Sequence, residues 1–186
     1  MKRIAVFASG SGTNAENLIR YFRTSRKGAV ELVLSNKVDA AVHQRAKKLG
    51  VESLSFDRAT FFESQRILQL LEDKHIDFLV LAGFLWLVPP YLTEAYRGRI
   101  LNIHPALLPA YGGKGMYGQR VHRAVIDAGE TVSGITIHHV NDKYDDGDIV
   151  FQAECPVLSG DSPETLAGRI HELEYTHFPV VVESLL

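Results

Sequence analysis

The sequence predicts an α/β fold in which a mostly parallel, twisted sheet carries helices on both faces, with an antiparallel portion in the C-terminal half. Three observations lead there. From Ile4 to His104, short continuous apolar runs alternate with stretches whose apolar residues recur at helical spacing, the pattern of a doubly wound sheet. The first run, Ile4 to Ala8, ends in Ser9-Gly10-Ser11-Gly12-Thr13-Asn14 and gives way to a helix, the first half of a βαβ unit. Beyond Gly118 a β-branched strand and a close successor read as a paired ribbon. With 186 residues, 46% apolar and 23% charged, the chain is sized for one cored domain, 1–186, and shows no repeat, linker or low-complexity tract.

The elements follow in order. Leu18, Ile19, Tyr21 and Phe22 fall at helical spacing after the glycine loop, and Val30 to Leu34 forms a second strand that stops at Ser35-Asn36-Lys37. A helix from Ala40 to Leu49 closes at Gly50, a C′ residue. Val51 to Phe56 is a weaker strand, Phe61 to Lys74 a single helix, and Phe78 to Ala82 a buried strand. A short helix spans Leu92 to Tyr96. The next strand carries Leu101-Asn102-Ile103-His104-Pro105, and alternation along it sets Asn102 and His104 on one face. Pro105 has no N–H for a ladder and keeps His104 extended, so pairing stops there and the two polar side chains project past a strand's carboxyl end, where open α/β sheets bind ligands. Tyr111 to Gly118 is a glycine-rich loop, Val121 to Ala128 a helix ending at Gly129, and Ser133 to Val140 and Ile149 to Ala153 are strands. Ser162-Pro163-Glu164 opens the last helix with an N-cap serine and proline at its first position, and Leu166, Ile170 and Leu173 form its stripe as far as Pro179.

Composition narrows the function. A net charge of −2 without a basic block argues against nucleic acid as the partner. Cys155 is the only cysteine, which excludes a disulfide framework and a thiolate metal site. No run approaches the ~18 apolar residues of a membrane span, and a strand begins directly after Met1-Lys2-Arg3 with no signal-peptide profile, so a cytoplasmic protein is expected.

The loop Gly10-Ser11-Gly12-Thr13-Asn14-Ala15 fits G-x-G-x-x-A, whose glycines turn backbone N–H groups inward at a helix N-terminus and suit an anion; a ligand-free βα turn is the plainer alternative. A dinucleotide would want an acid at the end of the second strand, and Ser35-Asn36-Lys37 offers none, so a phosphate monoester is favoured over NAD. Asn102 and His104 together can hold a carbonyl oxygen and pass a proton, as acyl transfer requires, although a lone histidine is more often a core residue. Asn141 to Asp148 supplies acids at Asp142, Asp145, Asp146 and Asp148 but fails the calcium-loop pattern, leaving a plain acidic turn or a source of the missing carboxylate. His138 and His139 point opposite ways along a strand and cannot share a metal; no metal is expected. Phe84 to Leu87 reads as core, or as apolar surface flanking a flat ring.

Taken together, Ser9 to Asn14, Leu34-Ser35-Asn36-Lys37, Leu81-Ala82-Gly83-Phe84, Leu101 to Pro109 and Asp145-Asp146-Gly147-Asp148 resemble the folate-dependent formyltransferases, in the branch that formylates glycinamide ribonucleotide for purine synthesis. The resemblance covers nearly the whole chain and implies a Rossmann-like fold, with a phosphate-binding N-terminal half and a folate-binding, catalytic C-terminal half. It implies transfer of a formyl group from 10-formyltetrahydrofolate, as co-substrate, to the amine of N1-(5-phospho-D-ribosyl)glycinamide, and dimers occur among its members. The family's catalytic Asn, His and Asp match Asn102, His104 and Asp145, with Asp145 expected to raise the pKa of His104. By the same matching Gly10, Ser11, Gly12, Thr13 and Asn14 hold the substrate phosphate and Glu174 its ribose. Leu85, Trp86, Leu87 and Val88 form one wall for the folate, and Asn102, Asn141, Asp142 and Asp145 the other. Thr136 and His138 lie on the strand behind the catalytic histidine. Trp86 stands where relatives often have arginine, Tyr111 to Gln119 is longer and richer in glycine, and the arginine that meets the folate tail finds only Arg58 as a candidate.

Within the superfamily, a methionyl-tRNA formyltransferase is expected to need a further C-terminal RNA-binding domain, and a formyltetrahydrofolate hydrolase an N-terminal regulatory domain. A nucleotide- or folate-binding module without turnover is the non-enzymatic alternative.

Overall fold

The computed structural model describes all residues, 1–186. In chain order the elements are β1 (Lys2–Phe7), α1 (Thr13–Phe22), β2 (Gly28–Ser35), α2 (Ala41–Lys48), β3 (Glu52–Ser55), α3 (Arg58–Phe62), α4 (Arg66–Asp73), β4 (Phe78–Leu81), α5 (Pro90–Ala95), β5 (Ile100–His104), α6 (Gln119–Asp127), β6 (Val132–His139), β7 (Ile149–Pro156) and α7 (Pro163–Ser184). They build one seven-stranded sheet in the order β3-β2-β1-β4-β5-β6-β7. The pairings from β3 through β5 are parallel, and β6 and β7 are antiparallel. No helix is long and apolar enough to cross a membrane.

Alternation along the strands makes two cores. Ile4 and Val6 of β1, Val80 of β4, Leu101 and Ile103 of β5, and Ile135 and Ile137 of β6 face α1, α2, α6 and α7. Ala5 and Phe7, Leu32 and Leu34, Leu79 and Leu81, and Ile100 face α3, α4 and α5. On this second face the aliphatic pattern ends at β5. The next positions on β5 and β6 are Asn102, His104, Thr136 and His138, set opposite one another by the register Asn102↔His138 and His104↔Thr136. Loops rather than helices roof this polar corner. Thr136, fully buried, fastens one of them: its hydroxyl donates to Ala106 O at 2.7 Å and accepts from Leu108 N at 2.9 Å.

Two elements differ from the sequence expectation. The helix expected over Phe61 to Lys74 is two, α3 and α4. Ser64 breaks it: its hydroxyl donates to Thr60 O at 2.8 Å and accepts from Arg66 N at 3.3 Å, so the side chain takes over groups that a continuous helix would pair. The last helix does not end at Pro179 but runs on to Ser184. A proline at position 179 leaves the carbonyl of Tyr175 without its helical N–H, and Asn17 Nδ2 of α1 donates to that carbonyl at 2.9 Å. Both Gly50 and Gly129 end their helices with positive φ, as expected of C′ residues.

Candidate active site

The glycine loop is held from three sides. Gly12 has φ +72°, and a Cβ there would overlap Val42 of α2, so the loop can pass only because position 12 has no side chain. Ser9 N donates to Gly83 O and Ser9 Oγ accepts from Leu85 N, both at 3.0 Å, which clasps the loop to the turn after β4. Arg45 donates to Ser11 O at 2.7 Å and pairs with Glu16. The first-turn N–H groups of α1, which have no helical acceptors, thus face a fixed space with the partial positive charge of the helix behind them. Lys37, Lys114 and Arg120 border the same cavity.

That cavity has a volume of about 600 Å³ and runs from the glycine loop to the polar corner of the sheet. Gly10, Ser11, Gly12, Thr13, Asn14 and Glu174 line it, as do Leu85 on the turn after β4 and Asn102, His104 and Asp145 at the polar corner. Glu174 comes from α7 and is 6% exposed; Asn14 Nδ2 donates to its carboxylate at 2.8 Å. Burial nonetheless pushes the Glu174 pKa up to about 7. Asn14 Oδ1 is buried with no partner.

Asn102, His104 and Asp145 meet. Asp145 arrives on the turn between β6 and β7, with φ +52°, and the turn closes because His139 N donates to Asp148 O at 2.9 Å. Gly147 passes beneath the His139 carbonyl, where a Cβ would overlap that oxygen. Asp145 Oδ1 accepts from Asn102 Nδ2 at 3.3 Å; Oδ2 accepts from Gly113 N at 2.9 Å and lies 3.5 Å from His104 Nδ1. His104 Nε2 donates to the Tyr111 carbonyl at 2.8 Å, which joins the glycine-rich loop to the centre.

Charge in the centre is uneven. Burial disfavours ionisation of Asp145, but the polar groups packed against it, the Gly113 N–H among them, outweigh it and hold its pKa below the usual value. Burial lowers the pKa of His104; Asp145 pulls it upward, as expected, and so does the Tyr111 carbonyl, but together they do not make up the difference.

The remaining expected folate residues lie off the cavity wall. Trp86 turns toward Phe56, Phe61, Phe62 and Phe84, with the Arg58 guanidinium 4.7 Å from the Phe62 ring and 5.8 Å from the Trp86 ring. Val88 is buried in the core on that face. Leu87 N donates to Tyr144 Oη at 3.1 Å, so Tyr144 bridges the two expected walls. Asn141 spends its amide on Asp146 at 3.3 Å and its carbonyl on Lys143 N at 2.9 Å, while Asp142 is exposed. His138, read from sequence only as a residue behind the catalytic histidine, stands directly against Asn102 and Asp145. The signal for it lies in antiparallel register, which cannot be read from either strand alone.

The family described as formyl transferase matches residues 2–182. The chain is 40% identical to the chloroplastic phosphoribosylglycinamide formyltransferase of Arabidopsis thaliana, over 99% of this chain and 65% of the relative. It is 37% identical to the phosphoribosylglycinamide formyltransferase of Haemophilus influenzae, over 98% of this chain and 86% of that protein. Among solved structures, the phosphoribosylglycinamide formyltransferase of Streptococcus pneumoniae superposes with a TM-score of 0.87 at 40% identity, covering 100% of this chain and 99% of that one. The chain spans less than two thirds of the length of the Arabidopsis and Vigna unguiculata relatives, 65% and 61%.

Proposed function

The chain belongs to the formyl transferase family, and on that premise we propose that it transfers a formyl group from 10-formyltetrahydrofolate to the amine of glycinamide ribonucleotide. The observation that carries the reading is the meeting of Asn102, His104 and Asp145 in the same cavity as an anion-holding helix start.

The cavity's two ends suit the two substrates. The N–H groups of Gly10 to Asn14, with Lys37, Lys114 and Arg120 nearby, suit a phosphate. The partnerless Asn14 Oδ1 needs a donor, and a ribose hydroxyl supplies one; Glu174, with its pKa near 7, can accept from or donate to the sugar. Leu85, Asn102 and Asp145 line the same cavity, and there the formyl donor brings a carbonyl carbon already bonded to a nitrogen leaving group.

As the substrate amine bonds to the formyl carbon, negative charge gathers on the formyl oxygen and the amine becomes acidic. Asn102 donates to that oxygen, and His104 can do so with Nε2–H once it releases Tyr111 O. Asp145, held ionised, takes the amine proton directly or by way of His104 Nδ1, 3.5 Å away, and returns it to the folate nitrogen as the old C–N bond breaks. The protein adds no covalent step. Steady-state loss of 10-formyltetrahydrofolate, followed with and without glycinamide ribonucleotide, tests the proposal. Consumption that depends on the ribonucleotide is expected; consumption indifferent to it would make the protein a hydrolase, and binding without consumption a binding module.

A further inference from the structure

His138 reaches the centre from β6, and its hydrogen bonds leave one self-consistent arrangement. The residue is 2% exposed. Its Nδ1 lies 2.8 Å from the His139 carbonyl, an acceptor with no hydrogen to give, so the neutral ring carries its proton on Nδ1. Nε2 is then a bare lone pair and accepts from Asn102 Nδ2 at 3.0 Å. Turning the carboxamide over would set its oxygen against that lone pair and against Asp145 Oδ1, which now accepts from Nδ2 at 3.3 Å.

The two acceptors on Asn102 Nδ2 are not held alike. With straight bonds from one hydrogen each they would stand about 5 Å apart, but His138 Nε2 and Asp145 Oδ1 are only 3.7 Å apart. The shorter bond, 3.0 Å, goes to His138 and the longer, 3.3 Å, to Asp145. The N–H on the Asp145 side is therefore the one that an oxygen in the cavity lined by Asn102 can draw away.

We infer that His138 is a positioning residue for formyl transfer: as the neutral Nδ1–H tautomer it anchors one N–H of Asn102 and thereby sets the carboxamide so that its other N–H meets the formyl oxygen. The inference rests on the formyl-transfer reading above. The opposite tautomer would present a donor at Nε2, and Asn102 would have to rotate and present its oxygen to the developing negative charge.

The test compares the full-length wild type with His138→Leu and His138→Gln, each checked for its thermal melt. Glutamine places a carbonyl oxygen near the position of Nε2 and accepts the same N–H. At about pH 8, His138→Leu is expected to lose kcat by at least about tenfold with KM for both substrates nearly unchanged. His138→Gln is expected to recover most of that loss. Imidazole ¹⁵N spectra of the wild type at about pH 8 should report the Nδ1–H tautomer of His138. A leucine variant with wild-type kcat, or an Nε2–H tautomer in those spectra, would overturn the inference. A wild type that transfers no formyl group would instead defeat the functional reading, and the ¹⁵N spectra would still decide the arrangement of His138 and Asn102.

Discussion

Asn102 and His104 sit where the ladder of β5 ends, supported by neighbours that do not themselves react. Losing one oxyanion donor typically costs about 2.7–4 kcal/mol of barrier. Asn102→Ala and His104→Ala are therefore expected to lower turnover at least about a hundredfold. Both side chains lie outside the two apolar cores, so each variant should keep a cooperative melt; near-normal turnover in either would reject its assignment. Glu174 makes a different prediction. Its folded pKa of about 7 stands above the ordinary 4.5, so the folded state holds this proton more tightly than the unfolded chain. Its contribution is complete below an ordinary carboxyl pKa and is lost as pH rises through neutrality. Relative to Glu174→Gln, the wild type should lose on the order of 3 kcal/mol across that window. Paired denaturant melts would show it, and parallel pH profiles for the two proteins would mean that Glu174 titrates normally.

The glycine-loop side of the cavity depends on the seam between α1 and α7. Asn14 joins the helices at Glu174, and Asn17, one turn on, joins them at the carbonyl that Pro179 leaves open. The proline is thus tolerated because a neighbouring helix supplies the missing donor. Asn17→Ala should cost about 0.5–1.5 kcal/mol, the worth of one such bond. In a Pro179→Ala background the backbone N–H returns, so the same Asn17 change should cost less, and the two substitutions should couple in a double-mutant cycle of unfolding free energies. Additive effects would show that Asn17 is not covering for the proline. Local pattern could not announce this compensation, which is why the stripe ending at Leu173 suggested that the helix stopped at Pro179. For α3 and α4 the apolar spacing was sound, but the hydroxyl of Ser64 decided the boundary.

At the scale of the molecule, five parallel strands deliver the glycine loop and Asn102-Ile103-His104 to one end of the sheet, and an antiparallel pair folds Asp145 back onto them. The strand runs, the glycine bend and the polar pair before Pro105 were legible because each is a local pattern. Asp145 was selected from an acidic turn by resemblance, since spacing alone left that turn ambiguous. His138 stayed obscure because its bond to Asn102 spans 36 residues and depends on register. Of the two readings open for Phe84 to Leu87, the packing of Trp86 on Phe56 and Phe61 is the core one, and it depends on side chains far away in sequence. Tyr144, meanwhile, spans the mouth between the two halves by accepting from Leu87 N. A flat heterocycle entering there competes with a phenol for that N–H, so its apparent affinity is discounted by the strength of the bond it displaces. Tyr144→Phe should thus lower KM for the formyl donor by roughly two- to tenfold, the equivalent of one hydrogen bond, with kcat moving less. An unchanged or higher KM would show that the phenol is no rival to the incoming ring. On the proposed function, grip on the formyl donor is set in part by how firmly the cleft holds on to itself.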